Sequence, residues 1–154
     1  MLAVGDKAPD FTLHNDNDEK VTILDFNGKK NVVLYFYPKD NTPGCTKEAC
    51  GFRDTIENIE KKDTVVLGIS TDSIKSHQKF ISNHGLNFSL LSDPEHEVAE
   101  KYGAWAEKKM YGRTFFGIVR STFIIDKNGI IQKVFPKVKV DGHVNEVMEV
   151  LETL

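Results

Sequence analysis

The chain is poor in cysteine: 154 residues contain two, Cys45 and Cys50. That scarcity excludes a disulfide-stapled scaffold, and a tetrahedral zinc site lacks its four ligands. The five histidines (His14, His77, His84, His96 and His143) are scattered, with no close pair. No hydrophobic run approaches the roughly 20 residues of a membrane span; the longest are of the order of Val32–Tyr37. The start, Met1 to Phe11, has neither a basic nor an apolar leader region, so no signal peptide is expected. Charge of one sign is also missing. Lys and Arg total 20, Asp and Glu 23, and the net of −3 leaves no footprint for nucleic acid or an anionic membrane. No Gly-x-Gly-x-x-Gly, Walker loop or Gly-x-Ser-x-Gly elbow is present, so nucleotide-binding and serine-hydrolase chemistry have no support.

What is present is ordinary globular composition, 40% hydrophobic and 28% charged. With no repeat and no Pro/Gly/Ser-rich linker, residues 1–154 read as one cytoplasmic domain. Short strands are expected at Phe11–Leu13 and Val21–Ile23, flanking the polar turn His14–Glu19. Asn31–Tyr37 and Val65–Ser70 are continuous apolar runs, the pattern of strands buried on both faces. Between them, Cys45, Ala49, Phe52, Ile56 and Ile59 recur at gaps of 4, 3, 4 and 3, which predicts a helix from Pro43 to about Lys61. Strand, helix and strand then form a parallel crossover. A second helix is expected from Ser73 to His84 and a strand at Leu90-Leu91. Asp93-Pro94-Glu95 reads as the start of a short helix running to Tyr102. Val119–Asp126 and Ile130–Phe135 form a hairpin through Asn128-Gly129, and a helix carrying Val144, Val147, Val150/Leu151 and Leu154 closes the chain. The pattern predicts a three-layer α/β/α sandwich around a mixed sheet.

The chemistry concentrates at Pro38-Lys-Asp-Asn-Thr42-Pro43-Gly44-Cys45, where the first buried strand hands over to its helix. Thr42 reads as the N-cap and Pro43 as the first helical residue. Cys45 then lies among unbonded N–H groups at the positive end of the helix dipole, which favours thiolate over thiol. The carboxyl edge of a parallel sheet is also where open α/β folds place their sites.

Pro38-x₃-Thr42-x₂-Cys45 resembles the active-site signature of the peroxiredoxins, thiol peroxidases with a thioredoxin-like fold. Cys50, Tyr111-Gly112, the run Gly117–Asp126 and the opening Gly5–Phe11 are similar to the bacterioferritin comigratory protein, or peroxiredoxin Q, subgroup. The resemblance covers about Gly5 to Val150 and implies that Cys45 attacks a peroxide oxygen. It further implies that Thr42 holds thiolate and peroxide with its hydroxyl, that Pro38 shields the pocket, and that Arg120 stabilises the thiolate and the leaving oxygen. Read without the resemblance, Arg120 is a surface arginine at a strand start. Glu48 reads two ways, as the residue orienting Arg120 or as a solvated first-turn glutamate.

Cys50 is by resemblance the resolving cysteine, forming a disulfide with Cys45 that thioredoxin or a similar dithiol protein reduces. No cofactor or metal is implied, and an intramolecular pair suits a monomer or weak dimer. In an intact helix, residues five apart have Cα atoms about 8.7 Å apart. A disulfide tolerates at most about 7 Å, so the helix is expected to open. Gly44 and Gly51 flank the pair and weaken the helix there; Gly51 also reads as a close contact with the sheet.

Overall fold

The computed structural model describes residues 1–154. Its main sheet has seven strands: β1 (Thr12–Asn15), β2 (Lys20–Thr22), β3 (Asn31–Phe36), β4 (Thr64–Ser70), β5 (Ser89–Ser92), β8 (Ser121–Ile125) and β9 (Ile131–Phe135). Their order is β2-β1-β5-β4-β3-β8-β9. The inner pairs β3–β4 and β4–β5 are parallel, and β1, β2, β8 and β9 add antiparallel edges. The expected mixed sheet is therefore the sheet observed.

All six residues of β3 are buried, because both faces of this central strand are covered. Val32, Leu34 and Phe36 join a core with Leu67, Ile69, Tyr102 and Phe123. Val33, Tyr35 and Tyr37 join a second core on the opposite face. That second core is roofed by α1 (Pro43–Glu60), α2 (Ile74–His84) and α4 (His143–Leu151), through Ala49, Phe52, Ile56, Ile59, Phe80, Val147 and Leu151. The first is covered by α3 (Glu97–Lys101), Phe11 and a 3₁₀ turn bearing Ile23. No helix is long and apolar enough to cross a membrane.

Two expectations need correction, and one element is added. The short helix begins at Glu97, not at Pro94. Asp93 reaches forward instead, its carboxylate accepting the Val98 and Ala99 N–H groups at 3.3 and 2.9 Å, while His96 turns the chain at a positive φ of 49°. A carboxylate on a loop thus does the capping expected of an adjacent residue. The closing helix ends at Leu151, and Leu154 lies beyond it, exposed. The added element is a separate antiparallel ribbon of β6 (Trp105–Met110) and β7 (Arg113–Ile118), in a stretch where the sequence shows no strand alternation. Its turn, Tyr111-Gly112, has positive φ at both residues (52° and 75°), as tight hairpins favour.

Candidate active site

Strand register brings the site together. β8 runs antiparallel to β3 with Phe36 opposite Ser121, so the residue before β8 stands at the edge where β3 feeds α1. That residue is Arg120. Its Nη2 donates to Cys45 Sγ at 3.2 Å and its Nη1 to Glu48 Oε1 at 2.7 Å. Gly44 makes the approach possible: a Cβ there would sit 3.2 Å from Nη2. Cys45 is only 1% exposed, and the Glu48 side chain is fully buried, whereas Arg120 keeps 18% of its side chain open. The guanidinium is the solvent-facing member of the trio.

Glu48 is thus no solvated first-turn glutamate: it faces the core side of α1 and bonds Arg120. Burial pushes its carboxyl up to about 7, against the opposing pull of Arg120. Its second oxygen, Oε2, is buried without a hydrogen-bond partner. An arginine bonded at once to a sulfur and a carboxylate holds its fork fixed, and a fixed fork can serve thiolate and leaving oxygen together.

Thr42 departs from expectation. It is the N-cap by backbone position, with φ −88° and ψ 153°, but its side chain makes no cap bond. The hydroxyl donates to the Lys39 carbonyl at 2.7 Å, because the loop folds back within reach. The helix ladder starts at Thr46 N–H to Thr42 O, leaving the Gly44 and Cys45 N–H groups ahead of it. Pro38 lies half-buried just past β3, at the mouth of the same loop.

Cys50 stands apart. Both thiols are free, and Cys50 is half-buried on a continuous α1. It lines a groove between that helix and residues 140–145, over which Lys47 pairs with Asp141. Gly51 packs against α4 and not the sheet, a Cβ there meeting Val144 Cγ2 at 3.0 Å.

Residues that sequence reasoning missed lie behind the site. His143, at the head of α4, is buried with Nε2 2.8 Å from Thr122 Oγ1; burial chiefly, and Arg120 further, lower its pKa against Glu146. Asp40, Asp72 and His77 place ligand-type atoms within 4.8 Å of one another. Both ring nitrogens of His77 are already engaged, on Asp40 and on the Leu91 carbonyl, which marks a hydrogen-bonded network. Trp105 stacks on His96 at 4.0 Å, and Tyr102 is core.

A sulfur held buried against a fixed cation, at the carboxyl edge of a thioredoxin-like sheet, belongs with the thiol-dependent peroxidases. Residues 4–134 match the AhpC/TSA family. A relative from Coxiella burnetii is 55% identical over 147 residues, covering 96% of this chain and 97% of its own. Peroxiredoxin Bcp of Bacillus subtilis is 48% identical over 153 residues, covering 99% and 97%. Among solved structures, the bacterioferritin comigratory protein of Xanthomonas campestris, studied for alkyl peroxide reduction, has a TM-score of 0.88. It is 35% identical, and the match covers 93% of this chain and 90% of that one. The chain belongs to the AhpC/TSA family and, within it, to the peroxiredoxins of the bacterioferritin comigratory protein type.

Proposed function

We propose that this peroxidase reduces hydrogen peroxide and alkyl hydroperoxides through Cys45, with Cys50 resolving the product within the same chain. The Cys45 thiolate attacks one peroxide oxygen, an S–O bond forms and the O–O bond breaks. The departing oxygen takes a proton and leaves as water or alcohol, and Cys45 becomes a sulfenic acid. Cys50 sulfur then attacks the Cys45 sulfur, forming the disulfide and releasing water. A dithiol protein of thioredoxin type reduces that disulfide by two thiol–disulfide exchanges. Arg120 orients the thiolate and stabilises negative charge on the departing oxygen, and Glu48 holds Arg120. Pro38 screens the entrance. Thr42 contributes its hydroxyl oxygen, whose hydrogen is committed to Lys39 until a peroxide arrives.

The observation that carries this reading is the bidentate placement of Arg120, 3.2 Å from Cys45 Sγ and 2.7 Å from Glu48. The disulfide demands that α1 open at its start, because ideal helix geometry holds residues 45 and 50 about 8.7 Å apart. The cycle needs no second subunit, so the working form is a cytoplasmic single-domain monomer or weak dimer. Rapid mixing with one equivalent of peroxide tests the assignment. Cys45→Ser abolishes the reaction, whereas Cys50→Ser completes one round and stops at the sulfenic acid. A Cys50→Ser protein inert to peroxide would reverse the two roles.

A further inference from the structure

The loop between β3 and α1 is held by side chains that the chemistry above does not use. Asp40, 5% exposed, sits in the middle of that loop. Its Oδ1 accepts the Tyr37 hydroxyl at 2.6 Å and its Oδ2 accepts the Ser76 hydroxyl at 2.8 Å. The same Oδ2 lies 2.7 Å from His77 Nδ1. The backbone N–H of Asp40 donates to Asp72 Oδ2 at 2.8 Å, an oxygen that also accepts the Ser70 hydroxyl at 2.7 Å. His77 is fully buried, and its Nε2 stands 3.0 Å from the Leu91 carbonyl. A carbonyl only accepts, so Nε2 carries that hydrogen and Nδ1 remains for Asp40. One imidazole thus ties the loop both to α2 and to β5.

The next residue turns the chain tightly. Asn41 adopts a φ of +60°, the left-handed region that asparagine tolerates better than other residues with a Cβ. Asn83 Nδ2, also on α2, reaches Asn41 Oδ1 at 3.4 Å. At the far end of the cysteine segment, Arg53 Nη1 donates to the His84 carbonyl at 2.7 Å, and Asn87 Nδ2 donates to the Arg53 carbonyl at 3.2 Å. The segment from Thr42 to Gly51, which carries both cysteines, is therefore bracketed by two ties, each ending on α2 or its exit. Burying this much polarity is costly where apolar side chains would fill the same space, so its use lies in the geometry it fixes.

We infer that His77 is a positioning residue for the reaction at Cys45, acting through Asp40 to fix the loop that delivers Thr42 and the start of α1. This inference rests on the proposed role of Cys45. His77 touches neither sulfur nor substrate. It sets where the Thr42 hydroxyl and the free N–H groups of Gly44 and Cys45 stand relative to an incoming peroxide. It also keeps the loop still while the segment beyond it rearranges.

Two substitutions separate the two bonds of the imidazole. In His77→Asn the side-chain amide takes the place of Nδ1 and can donate to the Asp40 carboxyl. In His77→Gln the longer amide reaches Leu91 and leaves Asp40 short. The reduced full-length protein is mixed with hydrogen peroxide and, separately, with iodoacetamide, and the loss of the Cys45 thiol is followed by mass. Iodoacetamide needs a reactive sulfur but not the peroxide-orienting loop. His77→Gln should slow peroxide oxidation roughly tenfold or more, since a displacement near 1 Å is that costly. Its alkylation should stay within about twofold of wild type, and His77→Asn should recover most of the peroxide rate. Tyr37→Phe, which deletes one donor to Asp40 and keeps the ring, should slow the peroxide reaction less but with the same selectivity. Val147→Ala, a core truncation in α4, should lower the unfolding midpoint without slowing the peroxide reaction.

Equal slowing of both reagents would overturn the inference, as would wild-type peroxide rates in His77→Gln and Tyr37→Phe. So would Val147→Ala matching His77→Gln, which would make the effect one of stability alone. A wild-type protein inert to peroxide overturns the role of Cys45 as well. A reactive wild type with unaffected variants overturns the role of His77 only.

Discussion

The two halves of α1 are held by different forces. From Pro43 to Gly51 the helix relies mainly on polar partners, Cys45 and Glu48 on Arg120 and the exposed Lys47 on Asp141, with only Cys45 and the small Ala49 reaching the apolar core. From Phe52 to Glu60 the helix is fixed by packing. Phe52 stacks on Tyr35 at 4.8 Å, and Phe52, Ile56 and Ile59 lie in the core beneath α1. Water can replace polar contacts at a net cost of about 1 kcal/mol for a neutral bond and about 1.5–3 kcal/mol for a charged one. It cannot replace the apolar ones, where each large side chain forfeits about 1.5–3 kcal/mol on exposure. A single helix thus carries an end that can detach on a stem that cannot, and both cysteines lie in the detachable part.

The comparison can be broken first on the stem. Phe52→Ala removes the ring stacked on Tyr35 and should cost about 3–5 kcal/mol of global stability in denaturant unfolding. A loss near that of an exposed substitution would mean that the second half is no better anchored than the first.

On the polar half, Glu48 is the sharper probe. Its folded-state value of about 7 lies above that of an exposed glutamate. The neutral carboxyl is therefore favoured by folding. That contribution is complete below about pH 4.5, declines as pH rises, and is gone above about pH 7. The window corresponds to roughly 3 kcal/mol. Glu48→Gln, which cannot ionise, should gain on wild type by about that amount between pH 4 and pH 8 in paired denaturant titrations. A stability difference flat with pH would show that Arg120 cancels the burial cost entirely.

The smallest effect is expected at Arg120 itself. Arg120→Lys keeps the charge but loses the fork that spans sulfur and carboxylate. The second-order rate with peroxide should fall roughly tenfold, or about 1.4 kcal/mol, in stopped-flow mixing. An unchanged rate would reduce the role of Arg120 to that of a point charge.

Much of this arrangement is legible in the sequence because it is local. The apolar run Asn31–Tyr37, the helical spacing from Cys45 to Ile59 and the motif ending at Cys45 all report on neighbours in the chain. Arg120 is different. Its meeting with Cys45 depends on the register that sets Phe36 opposite Ser121, a pairing 85 residues apart that periodicity does not encode, and the family resemblance alone pointed to it. The pairing of Glu48 with Arg120 depends on the same register. The Asp40–His77 cluster draws on the loop after β3, on β4, α2 and β5 at once, and no one of those segments betrays it. The β6–β7 ribbon escaped because it stands outside the main sheet, with Glu107, Lys109, Met110 and Phe116 exposed, so no inward alternation marks it. The Thr42 hydroxyl bonds the Lys39 carbonyl and not a helix N–H, a choice between loop and cap that residue type alone does not decide.

The central claim is that α1 opens at its start while its stem stays fixed, and amide hydrogen exchange on the reduced and peroxide-oxidised protein tests it most directly. With the Cys45–Cys50 disulfide verified by mass, protection of amides 46–51 should fall sharply on oxidation. Amides 56–60 of the same helix, and those of β3 and β4, should remain as protected as before. Equal protection of amides 46–51 in both states would contradict the account, since the disulfide would then have formed without any opening of the helix.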